Sequence, residues 1–462
     1  MSAREPFTPV ERRAAVSLAG IFALRMLGMF LILPVFALYA QSLPGGEDHA
    51  RIGLALGIYG LTQAVLMLPF GMASDRFGRK PVIYLGLAVF ALGSFLAAWA
   101  PDVHWLVVGR ALQGAGAVSA AVTALLADLT REEKRTQAMA VIGSTIGLTF
   151  AFSLAAGPAI YHAIGVPGMF AATGVLALLA ILVLRFYTPD PGVSVFHSDA
   201  EAHPARLKDV LRDGQLARLN WGIFALHAAQ MAMFVVVPFA LVRAGGLAPQ
   251  QHWQVYLPVL LLSFVLLVPA VILGERHGRM KAVFVTAVAV MLAAQIGLAL
   301  ALEHFWGIVL TLLAYFAAFN VLEALLPSLI SKIAPPEAKG TAMGVYNTAQ
   351  SLGLFFGAAA GGWIAEHAGH GAVFAFCAGL IGVWLVLAAG MRSPPRVKTQ
   401  LLHIDPLSEA EARRLATRLA VFAGVEAVSV LPREGAVMLK VNQTGWDEEG
   451  VRHALYGSTQ TR

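Results

Sequence analysis

Residues 253–274 read WQVYLPVLLLSFVLLVPAVILG, a run without a single charge. A helix of that length extends about 33 Å at 1.5 Å per residue, enough to cross a hydrocarbon core of about 30 Å. Comparable runs recur along the first 400 residues. The pattern predicts twelve membrane spans, near 14–40, 52–74, 81–100, 103–128, 137–162, 167–187, 217–242, 253–274, 281–301, 305–331, 340–365 and 371–391. Gly and Pro inside them are no objection, because membrane helices tolerate both far better than soluble ones. A soluble globule is excluded. Hydrophobic residues make up 58% of the chain and charged residues only 13%, about half the usual charged share, so polar groups could not cover the apolar surface.

The charges divide the chain. Residues 401–462 carry 15 charges in 62 positions, an ordinary soluble composition, whereas residues 1–400 carry 45. A membrane body followed by a small soluble tail is expected. Of the 26 Lys and Arg residues in 1–400, 22 fall on one side if the N-terminus is cytoplasmic; Arg51 and Arg243 fall on the other, and Arg25 and Arg110 lie within spans. That asymmetry predicts both ends in the cytoplasm. It also explains the basic net charge without nucleic acid as a partner. The single cysteine, Cys377, excludes an internal disulfide.

The body repeats itself. Gly71, Asp75, Arg76, Gly78, Arg79 and Lys80 close the second span, and Glu275, Arg276, Gly278 and Arg279 close the eighth, 200 residues later. Glu133, Arg135, Ala138 and Met139 match Glu337, Lys339, Ala342 and Met343 at an offset of 204, which Gly157 and Gly361 also keep. Two six-helix halves follow: residues 1–187 and 217–392, joined by a cytoplasmic linker, 188–216.

The G-x-x-x-D-R-x-G-R-K signature in that setting resembles the major facilitator superfamily, a group of repeat-built transporters. The second copy has Val271 and Met280 at two signature positions. Three further pieces resemble the drug:proton antiporter branch: Leu27-Gly28 with Pro34-Val35, then Arg110, Gln113, Gly114 and Gly116, and finally Gly157-Pro158. Ala37, Ser153, Tyr161 and His162 depart from that pattern. The resemblance implies an all-α membrane protein of twelve transmembrane helices in two pseudo-symmetric halves. It also implies a conformational latch of Gly71, Asp75, Arg76, Gly78, Arg79, Lys80 and Asp128. In it Asp75 faces the N-terminus of the eleventh helix near Gly340 and Thr341, where a carboxylate is worth about 0.3–2 kcal/mol, and Arg79 pairs with Asp128. Gly71 should allow close helix approach, and Gly78 a tight turn.

Ionisable groups within spans are expensive to expose to lipid, at about 2.5–3.5 kcal/mol or more each, so they should face the central cavity or one another. Arg25, Arg110, Gln113, His227, Asn320 and Glu323 are therefore the candidates for a proton and substrate pathway. Arg110 and Gln113 share a helix face, as do Asn320 and Glu323. The resemblance implies that Arg110 tunes a proton site; Glu323 could carry the proton or contact a cationic solute, and His227 could titrate near neutrality. Each of these residues has a purely structural reading as well, an interior polar contact. Gly157 and Pro158 are expected to bend the fifth helix, because Pro removes a backbone donor and crowds the preceding turn.

The tail reads β-α-β-β-α, with strands at 401–404, 427–431 and 437–441 and helices after Pro406-Ser408 and over 447–456. Arg433, Glu434 and Gly435 form its hairpin turn. The order resembles a ferredoxin-like α+β domain over 400–456. Relatives that carry metals need a C-x-x-C pair, and the tail has no cysteine, so no metal or cofactor is expected. No nucleophile–base set or phosphate loop appears, which disfavours an enzyme. The expected protein is a multi-pass transporter of the bacterial inner membrane, a monomer whose tail could make further contacts. It exchanges protons for a small amphiphilic or cationic compound across the lipid bilayer. A proton-linked sugar or metabolite transporter, or a transporter-derived ligand sensor, would share the same fold.

Overall fold

The computed structural model describes residues 6–191, 204–275, 279–335, 338–393, 397–405, 407–431, 435–442 and 445–456. Arg276, Gly278, Glu337, Pro406, Arg433 and Glu434 lie outside the described residues, as do residues 192–203 of the linker.

The first half contains α1 (Pro9–Phe30), α2 (Leu33–Gln41), α3 (His49–Phe77), α4 (Arg79–Ala98), α5 (Val103–Ala115), α6 (Ser119–Asp128) and α7 (Glu132–Phe186). A short linker helix, α8 (Pro204–Arg212), precedes the second half: α9 (Gly214–Gly245), α10 (Trp253–Glu275), α11 (Met280–Ala301), α12 (Phe305–Ile333), α13 (Lys339–Ala368) and α14 (His370–Ala389). Helix starts are set by side chains that accept from otherwise unpaired backbone N–H groups. Asp48 caps α3 through Ala50 N at 2.8 Å, Asp102 caps α5 through Trp105 N at 3.0 Å, and Asp213 caps α9 through Gln215 N at 2.7 Å. Thr8 and Glu11 form a capping box on α1. The same Glu11 carboxylate also accepts from the Arg131 backbone at 3.0 Å and its Nε at 2.9 Å, tying the starts of α1 and α7 together.

Four expected spans differ in detail. The first is interrupted between Phe30 and Leu33, where Pro34 follows the break. The fourth breaks between Ala115 and Ser119. The fifth and sixth are joined as α7, two helices meeting at Gly165, whose φ of 65° and ψ of 175° suit glycine. Helical dihedrals run unbroken through Gly157 and Pro158, and the change of direction between the fifth and sixth helices falls at Gly165. Gly157 has another use. A Cβ there would meet the Leu31 carbonyl oxygen at 2.8 Å, so glycine lets α7 close on the interruption between α1 and α2.

The internal repeat is visible in the packing. In the first half α1 packs on α7, α3 on α5, and α4 on both α5 and α7. The equivalent pairs in the second half are α9 with α13, α10 with α12, and α11 with both α12 and α14. Across the halves α3 packs on α13 and α7 on α10. The outside is apolar: Leu92, Leu148, Leu261, Val265, Leu300, Leu310 and Val386 are exposed. Such a belt would be unstable in water and suits hydrocarbon. Among the described residues, ten helical stretches are long and apolar enough to cross a membrane. Helix α13 is not among them although it has 30 residues, because it places Thr341, Asn347 and Thr348 on an internal cavity.

The tail has β1 (Val397–His403), α15 (Glu409–Leu419), β2 (Val425–Leu431), β3 (Ala436–Asn442) and α16 (Glu448–Tyr456). β3 lies between β1 and β2, antiparallel to both. Leu402, Leu419, Val437, Leu439, Val441 and Val451 form its own small core. Lys440 on β3 reaches back to the body. Its Nζ donates to the Lys332 carbonyl at 2.8 Å and to the Ala334 carbonyl, both at the C-terminal end of α12. Burial, with the Lys339 ammonium nearby, pushes Lys440 down to about 8. The docked lysine thus resists carrying its proton, and docking should tighten as pH rises from about 8 towards the ordinary lysine value. Replacing Lys440 with Ala should loosen the tail at every pH, seen as faster amide exchange around β3 and the end of α12. Unchanged exchange at both places would show that Lys440 does not hold the tail.

Candidate transport pathway

The two halves diverge towards the face that carries Arg12, Arg13, Arg79 and Lys80, here the basic face. Between them lies a cavity of ≈ 1030 Å³. Its walls come from α1, α3, α6, α7, α9, α12 and α13, with Leu207 and Leu211 of α8 at the mouth. Most of the lining is apolar, including Met67, Met72, Met139 and Met343; Ser119, Thr123, Asn220, Ser331, Asn347 and Thr348 supply hydrogen-bonding groups.

The opposite end is sealed by close backbone contact between α3 and α13. A Cβ on Gly53 would meet the Ala358 carbonyl oxygen at 2.2 Å, one on Gly57 the Phe355 oxygen at 2.8 Å, and one on Gly60 the Ser351 oxygen at 2.5 Å. A Cβ on Gly362 would meet the His49 oxygen at 2.3 Å. Small residues one helical turn apart permit this approach. Beyond the seam, Glu366 Oε2 accepts from His49 N at 2.9 Å and lies 3.0 Å from His49 Nδ1. His370 and Phe239 pack against the same imidazole at ring-centroid distances of 5.6 Å. The seam joins the two halves at one end, while the cavity separates them at the other.

The latch residues lie at the cavity mouth. Gly78, with φ of 91°, makes the sharp connection from α3 to α4. Arg79 is buried and donates from Nε to Asp128 at 3.2 Å and from Nη1 to Ser74 at 3.0 Å; the same Nη1 also donates to Asp75. The Asp128 side chain is 0% exposed and that of Asp75 50%. Asp75 thus turns to Arg79 on its own half, with Gly340 and Thr341 on the facing wall of the same cavity. The contact expected between Asp75 and the α13 N-terminus is not made here, because the mouth is open. For the same reason Gly71 is not tightly approached; a Cβ there would sit 3.5 Å from Ala120 Cβ, an ordinary contact. Arg76 projects over Phe77, and Lys80 donates to the Thr188 carbonyl at 2.7 Å, holding the start of the linker.

The deep polar residues form two groups, and none of the six lines the cavity. In the first half, Arg25 donates to Tyr59 Oη at 3.0 Å, to Gln63 Oε1 at 2.6 Å and to Ser119 Oγ. Arg110 donates to Gln113 at 2.8 Å and lies over the Tyr59 ring at 4.9 Å; Gln113 in turn donates to Ser94 at 2.8 Å. In the second half, His227 Nε2 lies 3.9 Å from Glu323 Oε2 and 2.8 Å from Gln350 Nε2. Asn320 turns away from Glu323 and donates to Ser263 Oγ at 2.8 Å. The groups meet through α13: Gln63 Nε2 donates to Ser351 Oγ at 3.2 Å, a bond between the halves. Tyr59, Gln63, Gln350 and Ser351 are not singled out by the sequence reading. Their signal is that of uncharged polar groups inside apolar runs, with Tyr59 and Gln63 four residues apart on one face.

This arrangement of two similarly packed helical halves around a central cavity defines a class of membrane transporter. The sequence model of the Major Facilitator Superfamily matches residues 18–253 and 246–433. The inner membrane transport protein YajR of Escherichia coli is 44% identical over 94% of this chain and 95% of its own length. The multidrug resistance protein MdtH of Aeromonas hydrophila is 26% identical over 74% of this chain and 85% of its own. Among solved structures, a bacterial homolog of the human lysosomal transporter Spinster covers 83% of this chain and 97% of its own with a TM-score of 0.65, at 13% identity. The chain belongs to the major facilitator superfamily. It is a multi-pass membrane transporter and not an enzyme.

Proposed function

We propose that this protein is a proton-coupled exporter of small amphiphilic compounds in the bacterial inner membrane, working by alternating access. Twelve crossings fit the helices, counting α7 as two arms and α13 with the ten apolar stretches. The bias of Lys and Arg to one face favours cytoplasmic termini, and the cavity then opens to the cytoplasm. The tail's strand order and two helices fit a ferredoxin-like domain. The observation that carries the reading is the cavity itself: large, mostly apolar, between two halves and open at one end only. An amphiphile fits these walls better than a compact cation. Asp75 is the one acidic residue on the described lining, and Arg79 already holds it.

In the alternate state the mouth closes and Asp75 leaves its exposed position for the α13 N-terminus at Gly340 and Thr341. Asp75→Asn should therefore lower transport severalfold while expression stays normal. Normal transport in that variant removes the latch from the account. The function is tested with purified protein in acid-loaded liposomes and a non-titrating amphiphilic dye, against protein-free liposomes. Antiport sends protons out and dye in, so accumulation should depend on the gradient and collapse with a protonophore. Equal flux with and without the gradient indicates a uniporter, and saturable dye binding without flux indicates a sensor.

A further inference from the structure

We propose that Gln350 is a positioning residue that couples the charge state of the His227–Glu323 pair to the contact between the two halves. The inference rests on the proton-coupled reading above and deepens it.

His227 Nδ1 faces the Ile223 carbonyl at 3.2 Å. A carbonyl only accepts, so Nδ1 holds the proton of a neutral ring. Nε2 is then a bare acceptor, and it lies 2.8 Å from the Gln350 amide nitrogen, a donor. The bond requires an unprotonated Nε2. A proton reaching Nε2 makes it a donor, and two donors repel. The amide must withdraw or rotate its oxygen inward, while the imidazolium turns to Glu323 Oε2, 3.9 Å away. That oxygen is buried and has no hydrogen-bond partner among the described residues. When the proton leaves on the far side of the cycle, the original bond reforms, so no proton is gained or lost over a cycle.

Ser351, the next residue of α13, makes the contact between the halves. Consecutive helical residues point about 100° apart, so Gln350 faces α9 while Ser351 faces α3. Ser351 Oγ accepts from Gln63, whose oxygen accepts from Arg25. The Ser351 carbonyl is also the close neighbour of Gly60, where the sealed seam gives way to the cavity. A shift of α13 at Gln350 therefore acts at the point where the two halves part.

Other ionisable groups surround the pair. Tyr315 of α12 and Tyr346 of α13 interact electrostatically with Glu323, and Cys377 of α14 with Tyr315. His49 of α3 packs on Phe239 of α9, Tyr256 of α10 on Phe234 of α9, and Arg218 and Arg243 stand at the ends of α9 itself. Arg25 reaches the pair only through Gln63 and α13.

The test follows the two conformations directly. Spin labels at positions 99 and 306, on the opposite face of the two halves, report the seam in full-length protein in nanodiscs from pH 5.5 to 8. In the otherwise unsubstituted protein the ratio of open to closed seams should change about tenfold or more, the response of a single coupled proton. In Gln350→Met, close in shape but without the amide, both distances should still occur, and the ratio should vary less than about twofold. Ser351→Ala, a smaller change at the next link, should weaken the response in the same direction. If the unsubstituted protein shows no pH response, the proton-coupled reading fails. If it responds and both variants follow its curve, that reading stands and the role of Gln350 is overturned.

Discussion

Asp128→Ala should destabilise the protein by about 3–5 kcal/mol, the usual consequence of removing one partner from a buried ion pair. Arg79 sits in a pocket made by Ser74, Asp75 and Asp128, and the Asp128 side chain is wholly buried. Without that carboxylate the guanidinium keeps its desolvation penalty but loses its buried counter-charge. Asp75 cannot replace it, because its side chain is half exposed to water, which screens its charge. The expected result is low expression and a melting temperature several degrees lower in detergent, with Asp128→Asn less affected. Asp75→Asn provides the contrast, a change in transport with little change in stability. An Asp128→Ala variant as stable as the unsubstituted protein would show that the pair does not hold α4 to α6.

The second large effect is expected at the seam. Gly53→Val and Gly362→Val each place a branched side chain against a backbone carbonyl that even a Cβ would approach to 2.2 or 2.3 Å. Neither neighbour is a flexible side-chain end, so the helices must separate. Overpacking of this kind costs about 1–3 kcal/mol, which changes a two-state ratio by about 5- to 150-fold. The penalty falls only on the state in which the seam is closed. Both variants should fold, favour the state open at the opposite face, and lose most of their transport. Cys377 is buried and is the chain's single cysteine, which makes the measurement clean: a cysteine introduced at Thr348 on the cavity wall should lose its reactivity from the basic face. Undiminished reactivity there would mean that the seam is not what closes that end.

Much of the helical framework is legible in the sequence, because a long apolar run has few options other than a helix in lipid. The run read as 281–301 is α11 at Met280–Ala301, and that read as 371–391 is α14 at His370–Ala389. Interruptions inside runs are not legible in the same way. Apolarity persists across Leu31-Ile32 and Ala117-Val118, while the regular helical hydrogen-bond pattern is interrupted there. The turn between the fifth and sixth helices is made by the positive φ of Gly165, which nothing in the apolar run marks. The Arg79–Asp128 contact follows from the family pattern. The partners of Arg25 do not, since Tyr59, Gln63 and Ser119 come from helices distant in sequence and carry no charge to mark them. The stripe Gly53, Gly57 and Gly60 is visible in the sequence, but its role depends on the carbonyls of α13 opposite, almost 300 residues away.

The central claim is that the two halves rock about the α3–α13 contact, so that one end closes as the other opens. Two spin-labelled pairs in the full chain measure this directly: positions 77 and 273 across the basic face, and 99 and 306 across the opposite face. The account predicts reciprocal change, with the first distance shortening in the same population in which the second lengthens, and Gly53→Val driving both. Distances that lengthen together, or a basic-face distance that stays constant while substrate is transported, would contradict it.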